Sequence, residues 1–562
     1  MYDELTKVDI EKIPLTDELT SKMLCEGKTG AVFQMESAGM TQLVRDLAPE
    51  NFADLIPLVA LYRPGPLGSG MVEDFIKGRH GEKEVTYMHP LLEPILKETF
   101  GVVLYQEQVM QIVQVLAGFT LGQADLLRRA MGKKKHEILM AQKENFLVGC
   151  EKNHIEAGLA NTIFDLLTHF ADYGFNKSHS AAYALVAYQT AYLKAHYPAE
   201  FMAAMLTSIM DTPKVATYIE LCRRMGIKIL PPDINASSAY FSVDGVAIRF
   251  GLAAVRNVGE TAIENVARIR EDGGPFSSLS DFCRRVDMRV VNRRVIESLI
   301  KCGAFDSFGA KRSQLLAILP QTVMEAAQQQ KDAVSGQMGL FSDETIEETG
   351  MLQLPDIDEV PKAELLNWEK EATGFYITGH PLDQYAAKLE NLPHIGSLQP
   401  DAVRDKQVVR IGGMLTEAKR ITTKKGDTMC FATVEDFTDS VEVTVFPRTF
   451  YQNMNLLVPD TPVVVQGRID MTDESVKIIA DSVWALKDYR FAYYIELPPG
   501  GLPETKREEM KQLIAAHHGA YATFFHSGGH WQKARENFWL DDAAETFQRL
   551  ESIVGAGKVR KR

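Results

Sequence analysis

The period of the hydrophobic pattern changes along these 562 residues, and that change limits the possible folds more than any single motif. Up to about Leu230, apolar residues recur at three and four, with Gly and Pro gathered at breaks such as Arg63-Pro-Gly-Pro66, which predicts one large α domain over residues 1–230. Near Pro231 the text becomes "YFSVDGVAIRF", alternating around Asp244-Gly245, so a small strand pair is expected there. Helical text returns from Asn257 to about Pro320. A polar, acidic, Pro-containing stretch follows from Gln321 to Glu364 and reads as a linker. From Gln407 to Leu486, the runs "VVRIGGML", "MCFATVED", "VEVTVFP", "PVVVQGRI" and "VKIIADSVWAL" have the spacing of a five-stranded barrel. The remainder, Tyr489 to Arg562, reads as a short α/β tail whose basic "KVRKR" end is expected to fray.

A chain of this length divides into several domains. No stretch approaches the roughly 20 apolar residues of a membrane span, and the opening "MYDELTKVDIEKIP" is too charged for a signal peptide, so a cytoplasmic protein with no membrane partner is expected. The six cysteines show no C-x-x-C pair and read as reduced core thiols rather than metal ligands. The net charge is −14, so any nucleic-acid site must be a local basic surface.

The densest such surface lies at Leu126 to Lys135, five positive charges in ten residues. Thr120 and Gln123 have capping-box spacing, which starts a helix carrying Arg128 and Arg129, and Gly132 is placed to end it. If the helix continued, Arg128 and Lys135 would share one face and Arg129 and Lys133 the next. Few carboxylates stand nearby in the reading of this stretch, so it is either a solvated face or an anion site. A second stretch, "GFNKSHSAAYALVAYQTAYLKAHYPAEF", sets Asn176, Lys177, Ser178 and His179 before a helix that reads as apolar around most of its circumference. Its N-terminus would offer backbone donors to a phosphate beside Lys177 and His179, or would be capped by Asn176 or Ser178. Tyr183, Tyr188 and Tyr192 are expected in the core.

Three further stretches bear on binding. "AAVRNVGETAIENVARIRE" has helix-hairpin-helix form: Gly259 permits a tight turn, and N–H groups of Asn257, Val258, Gly259 and Glu260 can approach a DNA phosphate. "NRRVIESLIKCGAFD" supplies a partner hairpin with Arg293 and Arg294 at its mouth. In the acidic linker, "QMGLF" (Gln337, Met338, Gly339, Leu340, Phe341) puts an apolar pair where there is no core to join, the mark of a docking peptide. The first barrel hairpin, around "TTKKGD", carries Lys419, Arg420, Lys424 and Lys425, suited to single-strand binding. Of Phe431, Phe437 and Phe446, at least two are expected in the barrel core.

Together with "ALYRPGPLGSGMVEDFI" and "VVLYQEQVMQI", the two basic stretches resemble the fingers of the C-family replicative DNA polymerases, the bacterial polymerase III alpha subunits. The resemblance continues through "IKILPPDIN", "NRRVIESLIKCGAFD" and "ATGFYITGHPLDQY", from Glu36 to about Leu486. It implies a multidomain fold: mainly α fingers (1–230), a helix-hairpin-helix region (231–320), an acidic linker with a clamp-binding peptide (321–365), a connector (366–406), an all-β oligonucleotide-binding (OB) barrel (407–487) and a small α/β tail like the tau-binding domain (488–562). The implied partners are primer-template DNA and dNTP, single-stranded DNA at the barrel, the beta sliding clamp through Gln337 to Phe341, the tau subunit of the clamp loader and the other polymerase III core subunits. Triphosphate contacts would fall to Arg128, Arg129, Lys133 and Asn176 to His179. Mg²⁺ is expected for the complete polymerase, held by palm carboxylates. The one D-x-D spacing, Asp356 and Asp358, lies in the Pro-flanked linker, so no catalytic residue is assigned. The palm is expected upstream of this chain, which then reads as the carboxy-terminal portion of a polymerase, inactive alone. The alternative is a non-catalytic DNA- and clamp-binding adaptor, or a remnant of a split or truncated gene. A tRNA-binding protein using the barrel would have the wrong neighbours.

Overall fold

The computed structural model describes residues 8–132, 136–170, 174–212, 214–335, 353–398, 402–472, 475–527, 529–541 and 543–561. These form two compact units, Met1–Thr378 and Gly379–Arg562.

The first unit is helical apart from a small sheet. The helices that matter below are α1 (Gln106–Ala117), α2 (Leu121–Gly132), α3 (Lys177–His196), α4 (Glu260–Gly273), α5 (Arg293–Lys301), α6 (Arg312–Ser335) and α7 (Lys362–Thr373). The capping box holds: Thr120 Oγ1 accepts from Gln123 N at 3.3 Å, and Gln123 Oε1 accepts from Thr120 N at 2.9 Å. Helix α3 is not apolar all round. Its buried stripe runs Ser180, Ala184, Ala187, Tyr188, Ala191 and Lys194, the three-and-four spacing of one face, while Leu185 and Val186 are exposed. Of the three tyrosines only Tyr188 is core; its hydroxyl donates to Pro14 O at 3.0 Å, and Tyr183 and Tyr192 are half-buried. At the far end of α3, the buried Lys194 ammonium donates to the carbonyls of Lys28 (2.7 Å) and Gly30 (2.6 Å), and burial pulls its pKa down to about 8.

Strand β1 (Ile229–Leu230) runs parallel to β3 (Ala247–Arg249), which pairs with β2 (Ser242–Asp244) across the Gly245 turn, so the expected strand pair is a three-stranded sheet. A single hydrophobic core runs from Phe201 to Phe375. Residue 230 therefore lies within both a sheet and a core that continue beyond it. The linker is also shorter than the sequence suggests. Pro320 lies inside α6, which continues to Ser335 because Leu319, Thr322 and Ala326 stay buried on the same core. The described end of the acidic stretch is docked: Glu359 accepts from Arg312 N (2.7 Å) and Ser313 N (3.1 Å), and Gln314 Nε2 donates to Pro355 O (2.8 Å).

The tie that joins α6 to α7 is a buried ion pair. Arg312 reaches Glu369 Oε1 through both Nη atoms at 3.1 Å and Asp306 through Nε and Nη2, and Glu369, with no exposed surface, also accepts from Ile377 N and Thr378 N. Five of the six cysteines are buried free thiols and Cys25 is half-buried, the core role expected of them. Among the described residues no helix is long and apolar enough to cross a membrane.

In the second unit, β4 (Val408–Thr422), β5 (Thr428–Glu435), β6 (Ser440–Val445), β7 (Thr461–Thr472) and β8 (Ser475–Ala485) close into a barrel in the order β4-β5-β6-β8-β7, with helix α8 (Pro447–Asn453) between β6 and β7. Alternate residues fill its interior, including Val434, Val443, Val463 and Ile478. The connector expected at 366–406 is divided between the units: α7 packs in the first, whereas Leu382, Leu389 and Leu392 pack in the second against Met414, Val464 and Leu486. The tail contributes β9 (Tyr493–Glu496), β10 (His518–Tyr521), β11 (Thr523–Ser527), β12 (His530–Lys533) and β13 (Val559–Lys561), with helices α9 (Glu504–Ala516) and α10 (Ala544–Val554). Its sheet order is β12-β11-β9-β13. The basic C-terminal stretch does not fray through Lys561, because Val559 is buried and β13 pairs antiparallel with β9.

Arg312→Ala should lower the stability of the first unit by about 3–5 kcal/mol, since it leaves Glu369 buried without its cation. Urea unfolding of the whole chain reads this; a loss below about 1 kcal/mol would show that the pair is not the tie described.

Candidate nucleic-acid interface

Two stretches that the sequence presents separately meet at one place. Just before α1 the chain runs beside the residues just before α3: Tyr105 and Phe175 form a parallel bridge, and Gln106 N donates to Phe175 O at 2.9 Å. The N-termini of α1 and α3 therefore start side by side, and α2 packs on α1. Gln106 links the two basic stretches, its Oε1 accepting from Arg128 Nη1 (3.4 Å) and its Nε2 donating to Gly174 O (3.2 Å).

The cations here are already engaged. Arg128 donates to Asp125 Oδ1 through Nε (3.0 Å) and Nη2 (2.8 Å), and Arg129 Nε lies 2.8 Å from Asp125 Oδ2. Hydrogen bonds from Arg128, with the charges of both arginines, hold the Asp125 carboxyl below its ordinary range. This corrects the reading that few carboxylates stand near the stripe: Asp125, three and four residues back, is on its face. Lys177 Nζ contacts both oxygens of Glu98 (2.8 and 2.6 Å), and Lys177 N donates to both oxygens of Glu107 (3.1 and 3.0 Å). Asn176 caps α3, its Oδ1 accepting from His179 N at 2.9 Å. The His179 ring lies 4.4 Å from that of Tyr183, and the Arg63 guanidinium lies 4.4 Å over the Phe175 ring. Ser178 is exposed at the same helix start. Lys133 lies outside the described residues, as do Lys134 and Lys135. Sequence reasoning missed Arg63, Glu98, Gln106 and Glu107 as members of this cluster; the only signal for Arg63, Gln106 and Glu107 was their place in "ALYRPGPLGSG" and "VVLYQEQ", and Glu98 lies in neither.

At the helix-hairpin-helix the left-handed residue is Asn257 (φ +66), not Gly259 (φ −83), which stands at the N-cap of α4. Asn257 Nδ2 donates to Ser298 Oγ at 3.1 Å, tying this turn to α5, and Val258 is buried. No side chain caps α4, and a Cβ on Gly259 would meet nothing within 4 Å. The glycine is thus not needed by the chain's own packing, and the space before the helix is open to an approaching backbone. Tyr240 donates to Glu260 at the same turn. Arg293 and Arg294 open α5, which Asn292 caps, and both are exposed.

On the barrel, Lys419, Arg420, Lys424 and Lys425 are exposed along the β4–β5 hairpin, whose turn is closed by Thr423 N to Asp427 O (2.8 Å). Phe437 and Phe446 are exposed and Phe431 is half-buried, so none belongs to the barrel core; the interior positions are taken by Cys430, Ala432 and Val445. Arg420 lies 5.7 Å over the Phe450 ring. The peptide Gln337, Met338, Gly339, Leu340 and Phe341 lies outside the described residues. Asp358 is fully exposed and faces Lys311 at 3.6 Å. Among the described residues no three His, Cys, Asp or Glu side chains are placed to hold a metal ion.

A helical region, a helix-hairpin-helix and a closed five-stranded barrel are the architecture of a nucleic-acid-binding protein. Residues 2–154 match the bacterial DNA polymerase III alpha subunit finger domain, 226–315 a helix-hairpin-helix motif, and 409–486 an OB-fold nucleic acid binding domain. The chain is 44% identical over 519 residues to DNA polymerase III subunit alpha of Pseudomonas aeruginosa, 44% over 503 to that of Escherichia coli K12 and 41% over 530 to that of Thermus aquaticus. These alignments cover 86%, 86% and 92% of this chain but 44%, 43% and 43% of those proteins. The chain belongs to the DNA polymerase III alpha subunit family, and it spans less than half the length of these relatives.

Reversing Lys424 and Lys425 to Glu should weaken single-stranded DNA binding and lower its log–log salt slope by about 1.4, at about 0.7 per phosphate contact. Fluorescence anisotropy across a salt series measures both; an unchanged slope would mean that the strand does not pass this hairpin.

Proposed function

We propose that this chain supplies the fingers, duplex-binding and single-strand-binding parts of a DNA-directed DNA polymerase in DNA replication. The observation that carries the reading is the meeting of the Arg128 and Lys177 stretches at the paired starts of α1 and α3. An incoming dNTP has a triphosphate that competes with Glu98, Glu107 and Asp125 for Arg128, Arg129, Lys177 and the α3 N-terminus, with Lys133, Ser178 and His179 alongside. Primer-template DNA lies against the open turn at Asn257 to Glu260 and against Arg293 and Arg294, where backbone N–H groups and guanidinium groups serve phosphates irrespective of sequence. The single strand passes the barrel hairpin. Gln337 to Phe341 docks on the beta sliding clamp, the tail meets the tau subunit, and the other core subunits assemble on the complete enzyme in the cytoplasm.

Nothing described here can activate a primer hydroxyl: positive charge binds a triphosphate but does not bridge attacking and leaving oxygens, a task for Mg²⁺ in the complete polymerase. The chain therefore binds and does not incorporate by itself. Exposed Asp356 and Asp358, one of them facing Lys311, lend no support to a catalytic pair there.

Arg128→Ala with Arg129→Ala should weaken dNTP binding to the chain on primer-template by about tenfold or more, from the loss of charge-assisted contacts of roughly 1.5–3 kcal/mol each. Primer extension by the purified chain, or unaltered nucleotide affinity in the double variant, would overturn the reading.

A further inference from the structure

The tail sheet has one covered face and one open face. Tyr493, Ile495 and Val559 point to the covered side and pack with Met510, Leu513 and Leu550 of α9 and α10. Their alternates lie on the other side. Strand register places Lys533, Phe524, Tyr494 and Arg560 in one row across β12, β11, β9 and β13, with Trp531, His526 and Glu496 in the next. A wet sheet face is ordinarily polar. This one carries an aromatic ladder: the Phe524 and Tyr494 rings stack at 4.8 Å and 5°, and Trp531, 46% exposed, stands 5.3 Å from Tyr494 and 4.9 Å from His526.

Within the same unit, this face opens on a cleft of about 830 Å³ shared with the barrel. Tyr494, Trp531 and Arg560 line it from the tail, and Val408, Arg410 and Gln466 from β4 and β7. Arg410 is held in place, its Nε donating to Gln466 Oε1 at 3.1 Å and its Nη1 to the Tyr489 hydroxyl at 2.7 Å. Lys561 also lines the cleft, and none of the described lining residues is a carboxylate. The one acidic residue on the ladder, Glu496, is paired with Lys558 at 3.0 Å.

We propose that this cleft is a second binding site for single-stranded DNA, in which bases stack on Tyr494 and Trp531 and backbone phosphates face Arg410 and Arg560. Charge decides between occupants. In a chain of net charge −14, a cleft with three cations and no described carboxylate selects a polyanion. Exposed rings beside guanidinium groups are the means by which single strands are held without sequence preference; aromatic and arginine side chains also mark protein interfaces, so the unopposed positive charge of the cleft is what favours the strand. The site is separate from the β4–β5 hairpin and does not depend on the polymerase reading of the first unit.

The test uses the whole chain carrying Lys424→Glu and Lys425→Glu, so that the barrel hairpin contributes less, and a bromodeoxyuridine-substituted oligothymidylate of about 12 nucleotides. Residual binding is expected, with ultraviolet cross-links mapping to Tyr494 or Trp531. Adding Trp531→Leu should weaken that binding about tenfold, Trp531→Phe should largely preserve it, and Arg560→Gln should lower the salt slope by about 0.7. Trp531 is exposed, and an unchanged melting curve checks that the variants fold. Absence of residual binding, cross-links confined to other segments, or equal affinity after Trp531→Leu would overturn the proposal. So would a protein partner blocked by Trp531→Leu while oligonucleotide affinity stays constant.

Discussion

The bridge between Tyr105 and Phe175 determines what the first unit can bind. Two chain segments far apart in sequence run together there for one bridge, and a helix leaves each of them at once. Each helix start carries about half a positive charge and unsatisfied N–H groups, so their convergence makes a positive field before any side chain is counted. Arg128, Arg129 and Lys177 add to it. Such a field cannot stand unanswered in a folded protein, and Glu98, Glu107 and Asp125 answer it with short contacts. On the proposed reading, these carboxylates stand in the ligand-free chain where phosphate oxygens would: anionic acceptors, but with one charge each where a triphosphate brings several.

The seating of α3 keeps this arrangement in place. A one-sided buried stripe fixes its rotation, the Tyr188 hydroxyl fixes its middle, and Lys194 pins its far end to two carbonyls. Burial lowers the pKa of that ammonium to about 8, and its two carbonyl acceptors offset part of the cost of burying it. In the second part of that unit, Arg312 and Glu369 do the corresponding work for the helix-hairpin-helix core.

Much of the architecture was legible in the sequence because local pattern and tertiary role coincide. The barrel strands alternate, so five short runs sufficed to place them, and Thr120 with Gln123 fixed the start of α2. Legibility failed where a tertiary contact overrode a local signal. Pro320 reads as a stop, yet α6 passes through it to keep Ala326 on the core. "KVRK" reads as a loose end, yet Val559 seats it as a strand. At least two of Phe431, Phe437 and Phe446 read as core, but Phe431 sits on the outward side of β5 between buried Cys430 and Ala432, and Phe437 and Phe446 lie just past the ends of β5 and β6. At the candidate site, Asp125 was visible at helical spacing from both arginines and was passed over, whereas Glu98 and Glu107 could not have been found without the fold, since only the Tyr105–Phe175 bridge brings them to Lys177.

If these carboxylates hold the place of phosphates, as proposed, nucleotide binding is an exchange of anions on a cationic site. The most direct measurement is the affinity of the chain, on primer-template, for a dNTP after Asp125→Asn, which keeps the shape of the side chain and removes its charge. The expected result is tighter binding by several-fold, because Arg128 and Arg129 no longer have to be taken from an ionised partner. Affinity that is unchanged or weaker would show that Asp125 positions the arginines for some other purpose, and that the cluster is a structural ion-pair network rather than a phosphate site.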